Sequence, residues 1–404
     1  MIIPFRSLFL ALALVLALPP KALWAFGNRP DFDAEACKSA LSALRREPVA
    51  DRLAQIGAIP PTEVIFANTP AYKHPELATT QGNIAIAQLN AEDFTVDDQQ
   101  VHVFLARENA EHVEDLPAKD PQKIKEIAQA ILSHQAGIIV MHEVLGEHRE
   151  DVVANLDKFS DQYLNGEYMT LALEANDGWG KKTVIMVRKD LPFKIEYRSY
   201  RKARIPNDIP PYFANKKVFS RDMVVALFYV EGREAPVLIV AGNHNKSQRV
   251  SPNDKRPDAA GFTLRLIQSD YAAAIHTDIE RQYPGVPFFD AGDRNSDYDA
   301  DSGFEALKSV STNLFDRFHF PPERRLTNPY FDDAGQLHWA ADDNIVVNRA
   351  ALRPGLIRSV ETGPYLDDDG NPIGPTQDAK DPSPMPSDHF PVWAQVDLGN
   401  LLGQ

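Results

Sequence analysis

Residues 121–145 read PQKIKEIAQAILSHQAGIIVMHEVL, and the change of period along this stretch decides the fold. Ile124, Ile127, Ile131 and Leu132 recur on one face at helical spacing; Gly137 then precedes the apolar run Ile138, Ile139, Val140, Met141. The first half predicts an amphipathic helix, and the second a buried strand that the helix feeds. The strand ends in His142 and Glu143, polar groups that a core does not accept without partners.

Moving outward, residues 84–89, 101–105, 183–187, 224–229, 237–240, 344–347 and 392–396 are further apolar runs of strand length. A second amphipathic helix carries Leu264, Ile267, Tyr271, Ile275 and Ile279 on one face and leads through Pro284 and Gly285 into a strand at 286–289. So many strands with so few helices do not fit a simple alternating wound sheet. The expected class is α/β, a four-layer sandwich of two packed mixed β-sheets flanked by helices. This domain spans 83–399. Ahead of it, 26–80 reads as an N-terminal helical extension, with Leu41, Leu44, Val49, Leu53 and Ile56 at helical spacing. Residues 361–387, rich in Asp, Gly and Pro, read as a long surface loop.

Arg6 is followed by an uncharged apolar run over 8–18, closed by Pro19, Pro20 and Lys21. That run is far short of the roughly 20 residues a membrane-spanning helix needs, so 1–25 is expected to be a signal peptide. The expectation is a secreted or periplasmic protein without stable membrane insertion. The formal charge is -15, and removal of Arg6 and Lys21 with the signal peptide takes it to about -17. Such a surface repels polyanions at long range, which excludes a protein that merely coats nucleic acid but not an enzyme with a cation in its cleft. Cys37 is the only cysteine, so neither an intrachain disulfide nor a thiolate zinc site is available.

Polar residues gather where the strands end. Asn90 and Glu92 follow the first strand and Glu143 the second; Asn243 and His244 follow 237–240, and Asp293 and Asn295 follow 286–289. Asp343 opens the strand at 344–347, and Ser387, Asp388 and His389 precede the last one. Carboxylates, amides and histidines brought together this way suit metal-assisted phosphoryl chemistry. His142 and His148 are six residues apart, which does not give the one-face helical pair of a zinc protease, and no nucleophile elbow, P-loop or dinucleotide fingerprint is present.

The order of these residues resembles that of the endonuclease/exonuclease/phosphatase superfamily, whose deoxyribonuclease-I-like fold the four-layer sandwich matches. A strand ending in Asn90, Met141-His142-Glu143, Asn243-His244-Asn245-Lys246-Ser247, Gly292-Asp293-Arg294-Asn295, Asp343 ahead of an apolar strand, and Ser387-Asp388-His389 carry the resemblance over about 83–397. It implies a phosphoester hydrolase using Mg²⁺, with Mn²⁺ as an alternative, and a phosphoester substrate, nucleic acid foremost. A phospholipid or sugar phosphate is the second choice, and a silent phosphate-binding scaffold the last; no protein partner is implied. Glu143, Asn90, Asp388 and Glu92 are the implied metal ligands. His389 is implied as base or phosphate donor, oriented by Asp343; Asp293 aligns the attacking water, and Asn295 and His244 bind phosphate. Either Asp293 or His389 takes the proton of that water. Asn243 and Lys246 are expected on the substrate. Arg294 stands where the family has Phe, and is expected either in solvent or on a substrate phosphate. No carboxylate partner for His244 is evident, since the corresponding region holds Lys181 and Lys182. Ten Lys or Arg fall within 188–221 against three acids, giving either a solvated segment or an arm that grips phosphates.

Overall fold

Residues 42–44, 46–105, 110–205, 216–248, 261–331, 336–375 and 384–403 are described by a computed structural model of the chain. Thirteen strands build the two large sheets. In chain order they are Glu63–Asn68 (β1), Asn83–Phe94 (β2), Ala136–Leu145 (β3), Tyr168–Leu171 (β4), Lys181–Arg188 (β5), Lys194–Ser199 (β6) and Met223–Tyr229 (β7). Leu238–His244 (β8), Phe288–Asp293 (β9), Thr312–Asn313 (β10), Asp343–Val347 (β11), Ile357–Thr362 (β12) and Val392–Asp397 (β13) follow. One sheet runs β1-β6-β7-β8-β9-β11-β10 and the other β12-β13-β2-β3-β5-β4.

Each sheet holds one parallel pair, β2 with β3 and β8 with β9, and every other pairing is antiparallel. A parallel pair requires a long crossover. The two helices legible in the sequence supply them: Pro121–Ser133 between β2 and β3, and Phe262–Gln282 between β8 and β9. The first is capped by Asp120, whose carboxylate accepts from the Gln122 amide at 2.7 Å, and Pro121 fills its first turn.

Side chains alternate along a strand, and the alternation divides the core into layers. Ile86, Val140, Ile185, Val240, Ala291 and Ile345 point between the sheets. Their neighbours Ala87, Ile139 and Met141 turn outward onto Ile124, Ile127 and Ile131 of the first crossover helix. On the opposite side Ile239, Ala241, Phe288 and Val346 meet Leu266, Ile267 and Ile275 of the second. Helix, sheet, sheet, helix is the order of layers. Each fully buried Val, Leu, Ile, Phe or Met side chain of this kind contributes about 1.5–3 kcal/mol.

Two expectations are corrected. The stretch read as a helical extension contains a strand, since β1 pairs antiparallel with β6 at the edge of the seven-stranded sheet. The helix before it, Val49–Ile56, docks through Arg52, which donates from Nε and Nη2 to Asp270 of the second crossover helix at 2.7 and 3.0 Å in a buried pair. The segment read as a loop from 361 onward begins inside β12 and continues as a short hairpin, Tyr365–Leu366 with Pro372–Ile373, in which Tyr365 is buried. A buried aromatic anchor outweighs the turn-forming composition around it. The expected signal peptide lies outside the described residues. Among the described residues no helix is long and apolar enough to cross a membrane.

Candidate active site

The layer between the sheets is apolar at its centre and turns polar at one end. Along β2 the inward positions run Ile84, Ile86, Gln88, Asn90; along β8 Val240, Gly242, His244; along β9 Phe289, Ala291, Asp293; along β11 Val347, Ile345, Asp343. Four strands from two sheets thus deliver amide, imidazole and carboxylate groups to one place.

Their contacts are close. Asn90 Nδ2 donates to Asp293 Oδ2 at 2.8 Å, and Gln88 Nε2 donates to Asp343 Oδ1 at 2.6 Å. His389 Nδ1 lies 2.6 Å from Asp343 Oδ2. Ser387 joins the last segment to the first strand, its Oγ donating to the Asn90 carbonyl at 2.7 Å and accepting from the His389 amide at 3.2 Å. Asp293, Asp343 and His389, all buried, offer ligand-type atoms within 4.8 Å of one another. Burial favours a neutral ring at His389, but the carboxylates of Asp343, Asp388 and Asp293 outweigh it and hold the imidazole well above its ordinary pKa. Burial likewise opposes ionisation of Asp293, yet His244 and His389 keep its carboxyl far below the usual range. The surrounding carboxylates therefore favour the charged ring at His389, whose Nε2 lies 2.9 Å from Asn328 Nδ2.

Glu143 reaches the same place by a different route. Strict alternation would turn it outward, next to Met141. Instead the β3 ladder shifts register between Met141 and Val144, and Glu143 takes a positive φ of 60°. A bulge of this kind re-aims one side chain. Glu92 and Asp93 of β2 (φ 44° and 52°), Asp222 before β7 (71°) and Asn295 after β9 (51°) have left-handed backbones as well. Such residues persist only where the surroundings hold them, and here they encircle one end of the sandwich. Glu143 Oε2 accepts from Lys181 Nζ at 2.6 Å, and Oε1 lies 3.6 Å from Arg221 Nη2 and 3.7 Å from His244 Nε2. Burial raises the Glu143 pKa, but His244, Lys181 and Arg221 together bring it down to about 2. His244 Nε2 also faces Asp293 Oδ2 at 3.1 Å, so it links Glu143 to the central carboxylate and has the acidic partners that the sequence did not reveal.

Of the other expected ligands, Asn90 Oδ1 accepts from the Glu92 amide at 3.0 Å. Asp388 Oδ1 is 3.7 Å from His389 Nε2. The Glu92 pKa is raised by burial and then by the charge of Asp388, while Lys119 stands 3.7 Å from its carboxylate. Carboxylate and amide oxygens are the donor type that a hard divalent cation takes, so the residues fit Mg²⁺ or Mn²⁺ in kind. Among the described residues, the carboxylate and imidazole groups that come within ligand distance of one another are Asp293, Asp343 and His389 rather than the expected Glu143, Asp388 and Glu92. Asn295 donates its amide N–H to Asp293 Oδ1 at 2.8 Å and its Nδ2 to the Asn245 carbonyl at 3.2 Å, which fixes the turn after β9.

Two expected substrate contacts, Arg294 and Asn243, fall on the helix side of their sheet. Arg294 is neither in solvent nor at a phosphate position. It is wholly buried, with Nη2 3.2 Å from Asp290 Oδ1 and Nε donating to Asn344 Oδ1 at 3.1 Å. It follows Asp293 by one residue and so turns to the helix side of the sheet, where Gly292 leaves it room; a Cβ there would lie 2.5 Å from its Cζ. Asn243 is misassigned for the same reason. It neighbours inward-facing His244, so its side chain points toward the second crossover helix, fully buried. Lys246 lies just past the strand, its Nζ donating to the Ser247 carbonyl at 3.1 Å.

Four residues at the site were not singled out from sequence. Arg221, last of the basic segment, lies with Nη1 2.6 Å from His244 Nε2 and pairs through Nε with Asp177 at 3.4 Å. Gln88 is hidden in the first strand, where its inward register is the only signal. Asn328 sits 2.9 Å from His389 Nε2 and donates to Asp342 Oδ2 at 3.2 Å. Burial and then the charge of Asp293 push Asp342 up to about 7. Nothing in the sequence marks Asn328.

No protein-family model matches the chain, and no curated protein matches its sequence. Solved structures do overlay on it. An endonuclease/exonuclease/phosphatase family protein from Bacteroides thetaiotaomicron matches with TM-score 0.46 and 16% identity, over 79% of this chain and 99% of that one. TDP2 from Caenorhabditis elegans matches with TM-score 0.46 and 14% identity, over 81% of this chain and 79% of that one. A mannosyl-6-phosphatase from Bacteroides thetaiotaomicron matches with TM-score 0.43 and 15% identity, over 78% and 99%. Overlap at this level transfers no residue role, and the site stands on its own geometry.

Proposed function

We propose that this chain is an exported, divalent-metal-dependent phosphoester hydrolase, acting foremost on phosphodiesters in nucleic acid. The observation that carries the reading is the meeting of His389, Asp343 and Asp293 within 4.8 Å, with Glu143 and Arg221 joined to them through His244. The chemistry follows from the charges. His389, held as an imidazolium by Asp343, donates a hydrogen bond to a phosphoryl oxygen as negative charge grows there. Asp293, kept ionised, accepts a hydrogen bond from water and aims its oxygen at phosphorus. Arg221 supplies a second donor for the phosphoryl oxygens. The new O–P bond forms as the bond to the leaving oxygen breaks; one water proton ends on the released alcohol and the other on the phosphomonoester. A bound Mg²⁺ or Mn²⁺ would polarise the phosphoryl group and neutralise developing charge.

Nucleic acid is favoured over a small phosphoester by the cations that lead to Arg221. The Lys217 pKa is lowered by burial and then by the nearby charges of Arg201, Arg204 and Lys202, which marks a local cationic patch on an acidic protein. A substrate with several phosphates is what such a patch would hold. Export rests on the apolar run at 8–18. The test is hydrolysis of bis-p-nitrophenyl phosphate and plasmid DNA by the purified protein with Mg²⁺ or Mn²⁺, stopped by EDTA. Turnover of neither substrate in either metal sinks the proposal, and turnover of the small ester alone sinks its nucleic-acid part.

A further inference from the structure

Glu143 already has a cation. Lys181 Nζ lies 2.6 Å from Glu143 Oε2 and, on its other side, 2.6 Å from Asp93 Oδ1. The three residues come from three adjacent strands: Asp93 from β2, Glu143 from β3, and Lys181 as the first residue of β5. Both carboxylates ride on left-handed backbone, at φ 52° and 60°, where the β2–β3 and β3–β5 ladders each lose register. Each such residue costs about 1–3 kcal/mol, strain that an ordinary solvated ion pair does not need. Exposure grades along the bridge, with the Glu143 side chain 13% exposed, Lys181 20% and Asp93 52%. One ammonium therefore connects an interior carboxylate to an exterior one.

Glu143 Oε1 faces Arg221 and His244 at 3.6 and 3.7 Å, so a divalent cation at Glu143 and the Lys181 ammonium on Oε2 would compete for one carboxylate. The geometry points to Lys181 as a built-in counter-ion that must release Glu143, while Asp93 retains it, before a divalent cation binds there. This rests on the metal-assisted reading given above. The affinity for metal is then set by a competition within the protein, and Asp93 governs it by giving the displaced ammonium a place to stay. Removing Lys181 strengthens metal binding, whereas removing Asp93 weakens it, because Lys181 is left with Glu143 alone.

The experiment titrates Mn²⁺ alone into the EDTA-stripped whole chain, with free Mn²⁺ read by electron paramagnetic resonance so that turnover plays no part. Lys181→Met is expected to bind Mn²⁺ about tenfold more tightly than the unaltered protein. Lys181→Arg, which keeps the counter-ion, stays near the starting affinity. Asp93→Asn binds roughly threefold more weakly, and Glu143→Gln loses the site. Equal or weaker binding by Lys181→Met overturns the inference, as does tighter binding by Asp93→Asn or no Mn²⁺ binding in any variant. If Lys181→Met does not fold, the direction of the Asp93→Asn change decides alone. Hydrolysis of bis-p-nitrophenyl phosphate by the same preparations separates this result from the functional reading. Tighter Mn²⁺ binding without turnover in any preparation upholds the role of Lys181 and removes the hydrolase, and turnover with unchanged affinities does the reverse.

Discussion

Strand β9 carries two buried aspartates three residues apart, and they have matching surroundings on opposite faces of one sheet. Asp290 lies 3.1 Å from His276 Nε2, with Arg294 beside it. Asp293 lies 3.1 Å from His244 Nε2, with Arg221 on that histidine. Carboxylate, imidazole and guanidinium recur in both. The helix-side cluster is closed, since Asp290, Arg294, His276 and Asn344 are all buried beneath the second crossover helix. At the inward cluster, Asp293 adjoins partly exposed Glu143 and Arg221, and Asp388 beyond His389 is partly exposed too. Ionisable chemistry alone therefore does not identify a functional site. Access for a substrate does, and here it follows from which face of β9 a residue occupies.

The contrast makes the two sides separable by mutation. His389→Ala is expected to have the largest effect on turnover, lowering the kcat of the folded fraction by about 10²–10⁴-fold, and it also costs stability because Asp343 is left buried without its partner. A turnover assay beside a urea titration reads both, and a folded fraction that keeps its kcat would make His389 structural. Arg294→Met should show the inverse pattern. Leaving Asp290 buried without its cation costs about 3–5 kcal/mol of stability, while the folded fraction keeps its KM. A raised KM with normal stability would return Arg294 to the substrate. Gly292→Ala should cost about 1–3 kcal/mol by pressing a methyl group against the same guanidinium, again without touching KM. The smallest effect on turnover is expected at Asn243→Ala, less than about twofold, because its side chain faces the helix. A large loss there would show that the face assignment along β8 is wrong.

The six motif segments, the two crossover helices and most of the central strands were legible in the sequence, because long apolar runs and helical spacing report burial directly. Ile138 to Met141 and the helix at Ile124 to Leu132 are where that reading was sharpest. Asn243 was read as a substrate contact and Arg294 as solvent-exposed or on a phosphate because they stand inside motifs, whereas Arg221 was read only as one of the ten cations of 188–221. Tyr365 and β1 were missed because turn-rich composition and helical spacing nearby masked a buried anchor and an edge strand.

The sequence by itself determined that strands with polar ends would assemble into a sandwich carrying carboxylates and histidines suited to phosphoryl chemistry. Only the tertiary structure decided which of those residues meet at one end of the sandwich. These central strands are buried on both faces, so their apolar pattern is continuous and does not say which side looks toward the other sheet. The bulge at Glu143, which turns one carboxylate against the alternation and onto Lys181, depends on contacts among three strands that lie far apart along the chain.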